Sequence, residues 1–112
     1  MHWCTIDPGH ETGFAVGNGG DLVFAFQEPL WEFIDHLDSW STVGLSPWPE
    51  LWPQAENQQL GAVVCEEWQL YPDVARSGAL DYDRQRTVRG IGAIELICRR
   101  RPLPIHFQGA AI

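Results

Sequence analysis

At 112 residues and 12.7 kDa the chain is one domain at most, and 45% hydrophobic with 20% charged residues is the make-up of a globular protein. There is no run of about 18 apolar residues, and Met1-His2-Trp3-Cys4-Thr5-Ile6-Asp7 lacks the basic and apolar stretches of a secretion signal, so no membrane contact and a cytoplasmic location are expected. The net charge of −8 counts against binding by phosphate neutralisation alone, but it is unevenly spread: residues 1–75 hold twelve acids and no base, whereas residues 76–112 hold all seven arginines and three acids.

Residues 2–6 read as a short apolar strand stopped by the turn Asp7-Pro8-Gly9. Thr12–Val16 is a second strand, Asn18-Gly19-Gly20-Asp21 a hairpin turn, and Leu22–Phe26 a third strand. Such tight connections imply an antiparallel meander. Pro29 opens a helix in which Leu30, Phe33, Ile34, Leu37 and Trp40 recur at helical spacing, with Glu32, Asp35, His36 and Asp38 on the other side. Pro47, Trp48, Pro49, Trp52 and Pro53 make 41–59 a loop holding at most one helical turn.

Leu60–Cys65 is a continuous apolar run, the mark of a buried central strand, and it ends at Glu66-Glu67. Residues 68–84 read as irregular. A second helix is expected over 84–100, with Val88, Ile91, Ile94, Ile97 and Cys98 on its apolar side and Pro102 and Pro104 beyond its end. Leu103–Phe107 is the last strand. The order β-β-β-α-β-α-β gives an α/β domain, a mixed sheet with helices packed against it. Cys4, Cys65 and Cys98 each sit inside an apolar run, with no CxxC pair, and are read as reduced core residues rather than zinc ligands.

Asp7 and Glu66 hold equivalent places, each at the C-terminal end of an apolar strand, where open α/β sheets bind ligands. If the two strands pair in parallel, the carboxylates come side by side and repel each other unless a proton or cation intervenes. Hard oxygen ligands of this kind suit Mg²⁺ or Mn²⁺, which can promote phosphodiester hydrolysis. The plainer reading has equal standing at this point: Asp7 opens a turn and Glu66 caps a strand. His10 reads as a solvated turn residue, and Trp48 and Trp52 as cover for the edge of a small core. Trp68, directly after the acids, and the arginines Arg84, Arg86 and Arg89 are the possible DNA contacts, the aromatic by stacking on bases. Arg99-Arg100-Arg101 fits a helix C-terminus as well as it fits a phosphate.

Ile6-Asp7-Pro8-Gly9-His10-Glu11-Thr12-Gly13-Phe14-Ala15-Val16 resembles the first hairpin of RuvC-type Holliday junction resolvases, especially small phage-encoded ones. Val63-Val64-Cys65-Glu66-Glu67-Trp68 is similar to their fourth strand, which ends in a catalytic Glu. Arg89-Gly90-Ile91-Gly92-Ala93-Ile94-Glu95 resembles the helix that follows, and Pro104-Ile105-His106-Phe107-Gln108 the fifth strand. The resemblance covers nearly the whole chain, in order. It implies a single ribonuclease H-like domain over 1–112, with Asp7 and Glu66 as two of four acids that bind Mg²⁺ or Mn²⁺. It further implies a two-metal endonuclease of bacterial or phage-infected cells, acting in DNA recombination on branched DNA such as four-way junctions. It also implies a homodimer, because such a junction needs two symmetric cuts.

In that family the remaining two acids lie on a helix after the fifth strand. The chain ends at Gly109-Ala110-Ala111-Ile112, so the domain is expected to be C-terminally incomplete and to cut poorly by itself. Asp73, Asp81 and Asp83 are the local acids that would have to replace them, and Glu67 is excluded because successive strand residues face opposite ways. A catalytically inactive RuvC-like domain with a protein-binding or structural role is the second expectation. An actin-like or sugar-kinase-like ATPase half ranks last, since 112 residues hold neither its second domain nor its second phosphate loop.

Overall fold

The computed structural model describes residues 1–67 and 82–109. Strands β1 (His2–Asp7), β2 (Glu11–Asn18) and β3 (Asp21–Pro29) form the meander. They are followed by helix α1 (Leu30–Val43), β4 (Leu60–Glu67), helix α2 (Tyr82–Arg100) and β5 (Ile105–Gly109). The five strands make one sheet in the order β3-β2-β1-β4-β5. β1 pairs antiparallel with β2 and parallel with β4, and β5 pairs parallel with β4. The mixed α/β sheet expected from the strand order is therefore the one found. Among the described residues no helix is long and apolar enough to cross a membrane.

Local chemistry sets the boundaries. Gly19, at φ 60°, supplies the left-handed residue that the hairpin between β2 and β3 requires. β3 runs on past Phe26 as far as Pro29, three residues further than the apolar run suggested, and α1 starts at once. Pro29, with φ −55°, takes the N-cap position, and the Leu30 N–H donates to the His10 carbonyl at 3.1 Å, tying the helix start to the β1–β2 turn. Gly44, at φ 77°, ends α1 in the left-handed conformation with its N–H on the Trp40 carbonyl at 2.8 Å.

The core lies on one side of the sheet. Cys4, Ile6, Phe14, Val16, Val63 and Cys65 point to that side and pack with Leu30, Phe33, Ile34, Leu37 and Trp40 of α1 and Ile94 and Cys98 of α2. Full burial of each large apolar side chain contributes about 1.5–3 kcal/mol. Trp48 lies deeper than the edge position expected for it. It is 5% exposed, with ring centroids 4.9 Å from Phe14, 5.8 Å from Trp40 and 6.4 Å from Phe33. Its indole N–H donates to the buried Glu28 carboxylate at 3.1 Å, which also meets His36 Nδ1 at 2.8 Å. Glu28 is thus a buried acid with both its neighbours polar, and the loop is anchored by it. Gln58 completes the anchor, accepting from the Ser46 N–H at 2.9 Å and donating to the Pro53 carbonyl at 2.8 Å.

Candidate metal centre

In the parallel ladder Ile6 sits opposite Cys65. One residue further along, Asp7 and Glu66 leave the ends of neighbouring strands on the same face. Alternation decides which face: Cys4 and Ile6 enter the core, so Thr5 and Asp7 point away from it, and Cys65 enters the core, so Val64 and Glu66 point away. Glu67 then falls to the other side and is exposed, as the period of two demands.

The turn that follows Asp7 is built to be tight. The Thr12 hydroxyl, fully buried, donates to the Gly9 carbonyl at 3.0 Å. Across the β1–β2 ladder, Asp7 faces Gly13, so nothing larger than hydrogen crowds the carboxylate from that side. Thr5, Gly13, Ala15 and Val64 floor a cavity of about 270 Å³ that Asp7, Glu66 and Gln108 border. The small floor residues leave the acids open to a ligand arriving over the sheet.

The adjoining Asp7 carboxylate, as a hydrogen-bonding neighbour and as a charge, raises the Glu66 pKa above the usual carboxylate value, with partial desolvation adding to it. Two carboxylates side by side repel each other unless a proton or a cation intervenes. Their oxygens are hard donors, so the pair fits Mg²⁺ or Mn²⁺, with water completing the shell. Among the described residues no group of three or more His, Cys, Asp or Glu side chains gathers to hold a metal.

Gln108 was not singled out from the sequence. Its place follows from the β4–β5 register, which sets it directly beside Glu66, and from the half-buried Ile105 and Phe107, which fix the odd positions of β5 on the core side. The pattern of the last strand carried that signal; the pairing partner did not show in it.

The three arginines expected to contact DNA are not at the acid pair. Arg84 and Arg89 are exposed on α2, and Arg86 is half-buried. Arg86 borders a small cavity of about 40 Å³ with His10, Pro29, Leu30, Trp31 and Thr87. None of these three arginines lines the acid cavity. Asp83 falls in the first turn of α2. Trp68, Asp73 and Asp81 lie outside the described residues. Of the arginine run, Arg99 pairs with Glu95 one turn back at 2.9 Å, and Arg101 bonds to Asp38 at 3.0 Å and to the Thr42 hydroxyl at 2.7 Å, bracing α2 against α1.

No protein-family model matches the chain, and no curated protein matches it. Solved structures do. RuvC of Thermus thermophilus in complex with a Holliday junction substrate superposes with a TM-score of 0.53 at 17% identity, over 97% of this chain and 64% of that one. A second structure of Thermus thermophilus RuvC gives a TM-score of 0.50 at 19% identity with the same coverage. The chain therefore spans 64% of the length of the RuvC chains it matches. At such identity the likeness speaks for the fold, and the fold is RuvC-like: a ribonuclease H-like α/β sheet with α1 and α2 on one face and Asp7 and Glu66 on the other.

Proposed function

We propose that this single domain is a metal-dependent endonuclease acting on branched DNA such as Holliday junctions, with Asp7 and Glu66 as ligands of Mg²⁺ or Mn²⁺. The observation that carries the reading is the parallel pairing of β1 with β4, which sets two carboxylates side by side on the open face of the sheet, one of them with its pKa raised by the other. The RuvC-like fold supports it, and the junction in the complex with Thermus thermophilus RuvC names the substrate class. A bound divalent ion supplies Lewis acidity toward a phosphodiester and lowers the pKa of nearby water. Asp7 and Glu66 hold and orient that ion, and Gln108 donates or accepts beside it. Arg84, Arg86 and Arg89 on α2, with Trp68, are the residues proposed to meet DNA, and their positive charge offsets the acidity of residues 1–75. Two symmetric cuts in a junction call for a homodimer.

A second reading, an inactive RuvC-like domain with a binding or structural role, is favoured by the lack of a third acid at the pair among the described residues. One experiment separates the two. A labelled four-way junction is incubated with the chain and Mn²⁺, beside Glu66→Gln. Cutting that needs Mn²⁺ and disappears in Glu66→Gln supports the nuclease. Junction bound but uncut by both proteins supports the inactive domain, and no binding of any branched DNA contradicts the DNA-directed reading.

A further inference from the structure

The register of the sheet sets one residue from each strand in a single row across its acid end. Asp7 pairs with Gly13 and Gly13 with Gln27, and on the other side Glu66 pairs with Gln108. Asp7 follows Ile6, which sits opposite Cys65, so the row runs from Gln27 on β3 through Gly13, Asp7 and Glu66 to Gln108 on β5. Directly paired strand residues point to the same face. Thr12 and Glu28 pair and are buried on the covered face, which leaves the next pair, Gly13 and Gln27, on the open one.

β2 holds two glycines in its interior, and the fold needs one of them. A Cβ on Gly17 would meet the Trp3 ring at 1.8 Å, whereas one on Gly13 would meet the Asp7 Cβ at 3.9 Å, an ordinary contact. Gly13 has no positive φ either. Neither packing nor backbone geometry calls for glycine at this position, and glycine weakens a strand interior. Close approach of a ligand to the backbone is the remaining reason for one. Gly13 floors the acid cavity beside Asp7. Gln27 and Gln108, at the two ends of the row, are exposed, and among the described residues neither side-chain amide is hydrogen-bonded.

We propose that one DNA strand crosses the sheet along this row, its sugar–phosphate backbone close over Gly13 and one of its phosphates accepting from the Gln27 amide. Gln27 lies two strand spacings, about 10 Å, from Asp7. The proposal rests on the nuclease reading of the acid pair and names the path of its substrate. A side chain at position 13 would stand between the strand and Asp7. Hydrogen there leaves a phosphodiester free to reach an ion held by Asp7 and Glu66. Glutamine amides donate to phosphate oxygens without adding charge. Gly13 and Gln27 are positioning residues: they fix where the strand lies and take no part in the bond-breaking step.

The test is fluorescence anisotropy of a labelled four-way junction in Ca²⁺, a hard cation with the same preference for oxygen, beside thermal melts of each protein with and without Mn²⁺. Gly13→Val is expected to be no less stable than the wild type, because a β-branched residue suits a strand, and to keep the Mn²⁺-dependent rise in Tm. Its junction affinity should fall about tenfold, with a smaller loss in Gly13→Ala. Gln27→Ala should bind about fivefold more weakly, with the slope of log affinity against log salt unchanged, because an uncharged amide releases no counterion. Wild-type affinity in either Gly13→Val or Gln27→Ala overturns the proposal and leaves the nuclease reading standing. So does a Gly13→Val protein that loses stability or its Mn²⁺ response, since the glycine then serves the fold or the metal. A wild type that binds no junction overturns both.

Discussion

The two faces of the sheet are made by alternate residues of the same strands, and they obey different rules. On the covered face Cys4, Ile6, Phe14, Val16, Val63 and Cys65 are at most 4% exposed and meet the helices. On the open face Thr5, Asp7, Gly13, Ala15, Val64 and Glu66 are small or charged and only partly covered. Cys65 and Glu66 show the contrast in two consecutive residues. Burial pushes the Cys65 thiol up to about 12, whereas the Glu66 carboxyl is raised by the adjoining Asp7 carboxylate, as a hydrogen-bonding neighbour and as a charge. Burial likewise lifts Cys98 to about 11 and Cys4 higher still, so the three thiols stay protonated and act as packing. Apolar packing is concentrated on one face and the acid pair lies on the other, and substitutions can show whether the division holds.

The largest effect is expected on the covered face. Phe33→Ala removes a fully buried ring 4.7 Å from Phe14 and should cost about 3–5 kcal/mol in urea unfolding. Thr5→Ala, exposed on the open face, should cost about 1 kcal/mol or less. Similar losses in the two variants would erase the division.

Gly17 sharpens it, because there the open face is locally packed. A Cβ on Gly17 would lie 1.8 Å from Trp3 Cζ2, so the Trp3 ring lies directly over the Gly17 backbone, with its indole N–H on the Gly19 carbonyl at 2.7 Å. Gly17→Ala must displace that ring and is expected to cost about 1–3 kcal/mol. In a Trp3→Ala background the same substitution should cost much less. Additive losses would show that Trp3 does not occupy that position.

The smallest effect concerns pH. His2 is 8% exposed, its Nδ1 has no partner and its ring centroid is 4.9 Å from that of Trp52. Burial lowers its pKa, against an offsetting hydrogen bond to the Gln59 backbone. The folded state therefore prefers neutral His2. Its contribution is fully present above the unfolded value of about 6.5 and is lost as pH falls from there toward the lowered folded value. Thermal melts should show a shallower loss of stability on acidification for His2→Phe than for wild type. Parallel curves would contradict the assignment.

Much of this was legible in the sequence because the signals were local. The apolar runs 2–6 and 60–65 and the hairpin at Asn18–Asp21 marked strands, and the matched acids at Asp7 and Glu66 marked strand ends. What was not legible depends on pairing and fold-back. Gln108 stands beside Glu66 only through the β4–β5 register. Glu28 belongs to β3 and is buried because Trp48 and His36 satisfy it across the fold. Trp48 itself, set among Pro47, Pro49 and Pro53, read as loop cover, and no periodicity could announce that the loop folds back into the aromatic core. The chemical role of the acid pair is a further step that neither the pattern nor the fold supplies.

That role is tested most directly by the response of stability to metal. A cation bound only by the native state raises stability by RT ln(1 + [L]/Kd), about 2.7 kcal/mol at a hundred times Kd. If Asp7 and Glu66 share a divalent cation, Tm should climb with added Mn²⁺ in the wild type and stay flat in Asp7→Asn and in Glu66→Gln. Without metal, both variants should be at least as stable as the wild type, because the repulsion between the carboxylates is gone. An equal rise in all three proteins, or none in the wild type, would contradict a shared metal site.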